Sequence, residues 1–391
     1  MIDPGSVPPD VARSHAATSL WTFPGVLLAS FVIGWGAEAA QFLVSQGLAL
    51  AMLAWLQTLP EFAVEAVIAW HRDIPLMTAN FTGSLRLLTG LAWPMIFFVS
   101  YWAENRRRPL PLTSHRVLLD TAHSVSVVAL LPPLAYFTII WAKGTLTLVD
   151  SAILVGLYAL YLVALRKIPP EDAEEIGDLP RVPRAVLALP GAWRGAGVIG
   201  LFVAGGALLY VLTPTFLDSM LGLSVMLGVT PFVFVQWVSP FLSEFPEKVT
   251  AFAWAKTLDK ADMALINMVS SNINQWTVLA AMIPVVYCVS LGHVAPIPFD
   301  AHQRSEILLT IAQGYLGLLL LLNLEFAWYE AVGIFGLWFV QFCLPESRHV
   351  VTGLYFGWCA IEILRRVAGR RSWGALAYFP QLWKHGRVVR P

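Results

Sequence analysis

Two glutamates, Glu61 and Glu247, lie within apolar stretches, and each directly follows a proline, Pro60 or Pro246. A carboxylate at the centre of a bilayer costs on the order of 2.5–3.5 kcal/mol on insertion scales. Such a residue faces a bundle interior, pairs with another group or lines an ion path. A structural glutamate, hydrogen-bonded across helices, accounts for one such residue more readily than for two at matched positions. Here the position is matched: Glu61 and Glu247 are 186 residues apart, Asn80 and Asn267 are 187 apart, and so are Ser84 and Ser271.

Oxygen donors gather around both acids. Gln57, Thr58 and Glu61 stand at i, i+1 and i+4, and Ser243, Glu244 and Glu247 repeat that spacing. On the following segments, Ser84 and Leu88 are one helical turn apart, as are Ser271 and Gln275. Pro60 and Pro246 each remove a backbone donor, so carbonyls near 54–57 and 240–243 are expected to be freed; the plainer alternative is a simple kink. Carboxylates, hydroxyls, amides and free carbonyls suit a hard cation, with Glu61 and Glu247 as the metal ligands. No His or Cys cluster suggests zinc or copper. A weaker echo, DSAILVGLY from Asp150 against EAVGIFGLW from Glu330, recurs at an offset of 180.

The elements that must position these residues are membrane helices. Of the 391 residues, 57% are hydrophobic and 13% charged, and the mean hydropathy is +0.67. Apolar runs of spanning length follow one another, which a soluble chain would not do. They are apolar all round, so helices rather than barrel strands are expected. The expected spans are 22–44, 46–70, 75–101, 115–141, 146–166, 195–216, 227–255, 262–290, 305–323, 326–343 and 349–365. The polar stretch 167–194 is a linker that separates a first five-helix repeat, 22–166, from a second, 195–343. An extra helix and basic tail occupy 349–391. With the N-terminus outside, 18 Lys and Arg fall on the inner side and five on the outer, which places the C-terminus in the cytoplasm. Five spans per half then run the two copies in opposite directions, an inverted repeat with its site near the bilayer midplane. The formal net charge of zero names no partner, and the confinement of Lys and Arg mainly to short loops and the tail argues against nucleic acid. Cys288, Cys343 and Cys359 have no ligand spacing and are read as core residues. The first residues show no cleaved signal pattern.

The two segments resemble the paired alpha repeats of the cation/calcium exchanger superfamily, which includes sodium/calcium exchangers. The first copy keeps Thr58-Leu-Pro-Glu61 and Asn80-x-x-Gly83-Ser84. The second keeps Pro246-Glu247 and Asp262-Met-Ala-Leu-Ile-Asn267-Met-Val-Ser270-Ser271-Asn272. Trp35-Gly-Ala-Glu38 also fits, and the resemblance covers 25–343. It implies that Glu61 and Glu247 are the central carboxylates, with Thr58, Ser84, Ser243 and Ser271 as accessory donors. Three departures stand out. Leu88 and Gln275 replace the family's usual Asn or Asp, and Glu244 replaces a small hydroxyl residue.

Two basic residues lie near these motifs. Arg86 is mid-span, and Glu65 or Glu38 is its expected structural partner; otherwise it occupies part of the cation path. Lys248 either snorkels inward, awkwardly for its stem direction, or pairs with an acid in the bundle. The tail, RRVAGRR to WKHGRVVR, is expected to be an ordinary inner-side basic tail, the alternative being contact with the anionic membrane surface.

The expected function is secondary cation antiport in the plasma (inner) membrane, by alternating access about the glutamate pair. Calcium and either sodium or protons are the expected ions. Sodium/proton exchange on the same fold is one alternative, and a non-transporting sensor or scaffold another. No cofactor is expected, and no GxxxxGK[ST] motif, nucleophile–base pair or zinc motif suggests an ATPase or membrane enzyme.

Overall fold

The computed structural model describes residues 8–43, 53–167 and 176–385. The protein is an all-α polytopic membrane protein. Among the described residues, seven helices are long and apolar enough to cross a bilayer: Asp10–Leu43, Ile74–Arg107, Thr121–Lys143, Leu148–Leu165, Ala192–Leu227, Ala261–Leu291 and Ala301–Leu321. The other four expected spans hold helices that are too short or not apolar enough for that. Leu59–Trp70 lies in the expected span 46–70, part of which falls outside the described residues. The expected span 227–255 divides into Pro231–Ser243 and Phe245–Ala255. Trp328–Cys343 and Arg348–Val367 are the last two.

Three boundaries differ from expectation. The first helix begins at Pro9 rather than near 22. The Ala192–Leu227 helix continues through Pro214 and ends at Gly228, whose φ of 67° closes it. The expected span 115–141 is helical only from Thr121; Arg116–Leu118 instead pairs antiparallel with Glu325–Ala327. A second short pair joins Thr145–Leu146 to Ile297–Pro298. Two- and three-residue strands carry too little alternation to be read from sequence.

The chain forms two compact units, each drawing on both halves of the sequence. The first comprises 1–84, 170–247 and 282–295. Its frame is the Pro9–Ala40 helix packed along Ala192–Leu227. A Cβ on Gly222 would stand 2.6 Å from the backbone nitrogen of Ala16 and 2.7 Å from the carbonyl of Ala12. Small residues let membrane helices approach this closely, because dispersion contacts replace the hydrophobic effect. Thr22 and Ser219 share a hydrogen bond of 3.1 Å at the same seam. Leu59–Trp70 and Pro231–Ser243 pack onto this frame.

The second unit comprises 85–169, 248–281 and 296–391. Ala301–Leu321 packs against Arg348–Val367 and Leu131–Lys143. The echo at offset 180 has a structural role here. Asp150 accepts from the N–H of Thr147 at 2.7 Å, and Glu330 accepts from the N–H of Ala327 at 2.7 Å. Each acid caps the last helix of its half.

The tail differs from a surface-facing basic segment. Arg366 and Arg371 are buried. Glu362 accepts from Arg366 at 2.8 Å and from Arg371 at 2.6 Å, and Arg371 also pairs with Glu330. The Gly374–His385 helix packs on Ser124–Ala129 through Leu382, Tyr378 and Phe379. Arg387 and Arg390 lie outside the described residues.

Candidate functional site

Both proline motifs break their helices at matched points. In the first, Thr58 forms a turn before Leu59–Trp70. Its N–H donates to the carbonyls of Ala54 and Trp55 at 3.3 and 3.2 Å, and its hydroxyl donates to Trp55 at 2.8 Å. Of the expected free carbonyls over 54–57, those of Ala54 and Trp55 are thus taken, and Pro60 has no N–H to offer that of Leu56. In the second, Glu244 interrupts the helix, with φ −97° and ψ 7°. Its N–H donates to Pro240 at 3.0 Å, and the Ser243 hydroxyl donates to Ser239 at 3.0 Å. Pro240 and Pro246 have no N–H to donate back to Gln236 and Leu242. Glu61 and Glu247 then fall in the first turns of the helices that resume, where the positive end of the helix dipole stabilises a carboxylate.

Within the first unit, the second copy of the motif meets the first. The Ser243 hydroxyl donates to Glu61 Oε2 at 2.5 Å, and Asn80 Nδ2 donates to Glu61 Oε1 at 2.5 Å. The Ser84 hydroxyl donates to Glu244 Oε1. Asn80 Nδ2 also donates to Glu65 Oε2 at 2.6 Å. Glu61, Glu65, Asn80, Ser84, Ser243, Glu244 and Glu247 have no solvent exposure, and Gln57 and Thr58 are buried with them. Among the described residues, no three His, Cys, Asp or Glu side chains converge into a ready-made metal cage. Any cation here would draw on hydroxyl, amide and carbonyl oxygens as well as carboxylates.

Helix packing sets this geometry. Gly83 presents its bare backbone to the Gln236 carbonyl, and a Cβ there would stand 1.8 Å from that oxygen. Beside it, Gln236 Nε2 donates to Thr82 Oγ1 at 3.3 Å.

Ser271, Gln275 and Asn267 belong to the second unit and are buried on the Ala261–Leu291 helix. Gln275 opens a π turn, Gln275–Leu279, and Leu88 opens another, Leu88–Ala92. The two lie 187 residues apart, at the positions that depart from the family pattern. A π turn adds one residue to a helical turn and so shifts every later side chain around the axis. Neither carries a proline to announce it.

Arg86 is not the partner of Glu65. It pairs with Glu306 at 2.7 Å and donates to Gln341 at 2.9 Å, while Gln313 donates to its carbonyl at 3.1 Å. This is a buried structural network, which Arg348 joins through Glu306 at 3.1 Å. Lys248 is buried, as expected of a bundle-facing residue. Sequence reading considered Glu65 only as a partner for Arg86; its spacing of four from Glu61 was the available signal.

The profile of the sodium/calcium exchanger protein family matches residues 15–167 and 197–344. The chain belongs to this family. Its members are transporters rather than enzymes. No curated protein matches the chain. Among solved structures, a crystal structure of the H+/Ca2+ exchanger CAX is similar, with 28% identity, a TM-score of 0.84, and 95% of this chain and 91% of that one covered. The sodium-calcium exchanger NCX_Mj, soaked with Na+ and Sr2+, shares the fold at 17% identity and a TM-score of 0.53, over 86% of this chain and 99% of that one. This exchanger-family chain thus carries the doubled motif on the fold that its sequence repeat implied.

Proposed function

We propose that the protein is a secondary antiporter that exchanges a hard cation, calcium first, against protons by alternating access. The observation that carries this reading is the environment of Glu61. It is a fully buried carboxylate at a helix break, accepting from Ser243 of the other repeat and from Asn80. A hydroxyl and an amide satisfy its oxygens without offsetting its charge, which a hard cation would do. Glu244 and Glu247 supply further charge, with Ser84, Gln57 and Thr58 as oxygen donors. Ser271 and Gln275 enter by their repeat positions, as sequence-level candidates. Protons are the counter-ion favoured by the similarity to an H+/Ca2+ exchanger. Sodium/proton exchange is the second reading, because Leu88 offers no oxygen where the family usually has a ligand. The excess of inner-side Lys and Arg supports a plasma-membrane protein with its N-terminus outside.

The purified protein in proteoliposomes, tested cation by cation with a lumenal pH dye, decides between these readings. Calcium uptake that moves protons outward is the expected result. Proton movement driven by sodium, without calcium uptake, would select the second reading. Glu61→Gln and Glu247→Gln should each abolish uptake while the protein still inserts, since Gln keeps the volume and one oxygen but removes the charge. Near-normal transport by either variant would remove that glutamate from the mechanism.

A further inference from the structure

We infer that the corner where the chain turns after the Arg348–Val367 helix binds one anionic phospholipid, with an acyl chain in an apolar groove and the phosphate on the arginines at its mouth. The corner lies wholly within the second unit. The groove has a volume of about 420 Å³, within the range of about 300–1,000 Å³ typical of small-molecule sites. Leu131, Leu318, Phe356 and Ile363 line it, and Trp373 and Leu376 line it from beyond the turn. The Tyr315 hydroxyl in the lining is taken up with Thr138 at 3.1 Å. The groove therefore fits an apolar chain rather than a polar solute.

Local sequence builds this corner. Gly369, with φ 70°, ends the helix: its N–H donates to the Arg366 carbonyl at 2.9 Å, and that of Arg370 to Arg365 at 2.8 Å. Arg371 is then drawn into the bundle by Glu362, at 2.6 Å, and by Glu330. The Ala375 N–H donates to the Leu322 carbonyl at 2.8 Å. These ties hold Trp373 and Leu376 against the groove.

Its depth suits a lipid chain. Phe356 and Ile363 stand seven residues apart on one helix, about 10 Å along its axis, and Tyr315 and Leu322 span the same number of residues beside them. The hydrocarbon of one leaflet is about 15 Å deep. Tryptophan favours the membrane–water interface, and Trp373 marks that level at the end of the groove.

The mouth supplies the selectivity. Lipid tails are as apolar as the groove, so the chain alone gives little preference among lipids. Arg365, Arg366, Arg370 and Arg371 gather at the turn against two acids, Glu362 and Glu330, a surplus of two positive charges. The Arg366 guanidinium lies 5.8 Å from the centre of the Trp373 ring, which puts this cluster at the groove. Arg366 and Arg371 are buried on Glu362, whereas Arg370 is exposed and Arg365 partly so. Those two are placed to meet a phosphate, and basic pockets beside membrane helices take anionic headgroups in this way.

Thermal unfolding of the full chain, purified and stripped of lipid in detergent, tests this. Dioleoyl-phosphatidylglycerol should raise the melting temperature, with half-saturation at least about fivefold below that of dioleoyl-phosphatidylcholine, since each basic residue near an anionic head contributes about a factor of five. Arg370→Gln should raise half-saturation for phosphatidylglycerol about fivefold and leave that for phosphatidylcholine unchanged. Ile363→Trp, which fills the groove from an exposed position, should weaken both lipids. Equal stabilisation of the wild type by the two lipids, or an unaltered response in either variant, would overturn the proposal. Stabilisation by glycerol 3-phosphate equal to that by the lipid would also overturn it, because the site would then be a plain anion site. Should a variant fail to fold, the wild-type protein decides. A phosphatidylglycerol with a photoreactive diazirine at mid-chain should cross-link within 315–322 or 356–363, and cross-links confined to other segments would refute the assignment.

Discussion

Gly83→Ala is the most direct test of how the site is positioned. The added Cβ would stand 1.8 Å from the Gln236 carbonyl oxygen, 2.7 Å from the carbonyl carbon and 2.9 Å from Cγ. Real Cβ atoms essentially never come within 3.0 Å of a neighbour, and the nearest atoms here are backbone, which cannot swing aside. The Ile74–Leu87 and Pro231–Ser243 helices must therefore separate by more than an ångström. Overpacking of this kind costs about 1–3 kcal/mol. The same movement pulls on the hydrogen bond from Ser84 to Glu244 and on that from Gln236 to Thr82 at 3.3 Å, which has almost no slack. Losing a hydrogen bond to a charged group costs about 1.5–3 kcal/mol more. Thermal unfolding in detergent should show a clear loss of stability. Half-saturation for calcium uptake should rise at least about tenfold, since each 1.4 kcal/mol is a factor of about ten. Gly156→Ala is the control, because a Cβ there meets nothing within 4 Å; it should stay within about 0.5 kcal/mol of wild type. A Gly83→Ala protein with wild-type stability and wild-type half-saturation would refute the close crossing, and with it the account of how Ser84 and Glu244 are brought together.

Further expectations concern other parts of the chain. Arg86→Met should destabilise the protein by about 3–5 kcal/mol, because it leaves the buried Glu306 carboxylate with less compensation; thermal melts that match wild type would show the network to be dispensable. Leu88→Asn should raise calcium affinity if the leucine removes a ligand, and unchanged half-saturation in an inserted variant would direct attention to Glu244. A cysteine added after residue 385 should resist an impermeant reagent applied to intact cells, and labelling from outside would invert the proposed orientation.

Several features of this protein were legible in sequence because they are local or repeated. The apolar spans follow from composition, and helices from the need to satisfy every backbone group within the bilayer. The helix breaks at Thr58 and Glu244 follow from Pro60 and Pro246, whose missing N–H groups act within one turn. The equivalence of Glu61 with Glu247, and of Ser84 with Ser271, is visible as spacing alone. Partner choice was not legible, because spans that are apolar all round do not announce which face meets which neighbour. Only the crossing at Gly83 decides that Ser84 reaches Glu244, and only packing within the first unit brings Ser243 to Glu61. Arg86 looked to sequence like a partner for a nearby acid, yet the fold brings Glu306 to it from 220 residues away. The π turns at Leu88 and Gln275 rotate the residues after them without a distinguishing residue type. Arg366 and Arg371 read as surface charge until Glu362 and Glu330 are seen beside them. Each of these depends on a contact between distant segments, whereas the breaks and the repeat are written into a few consecutive residues.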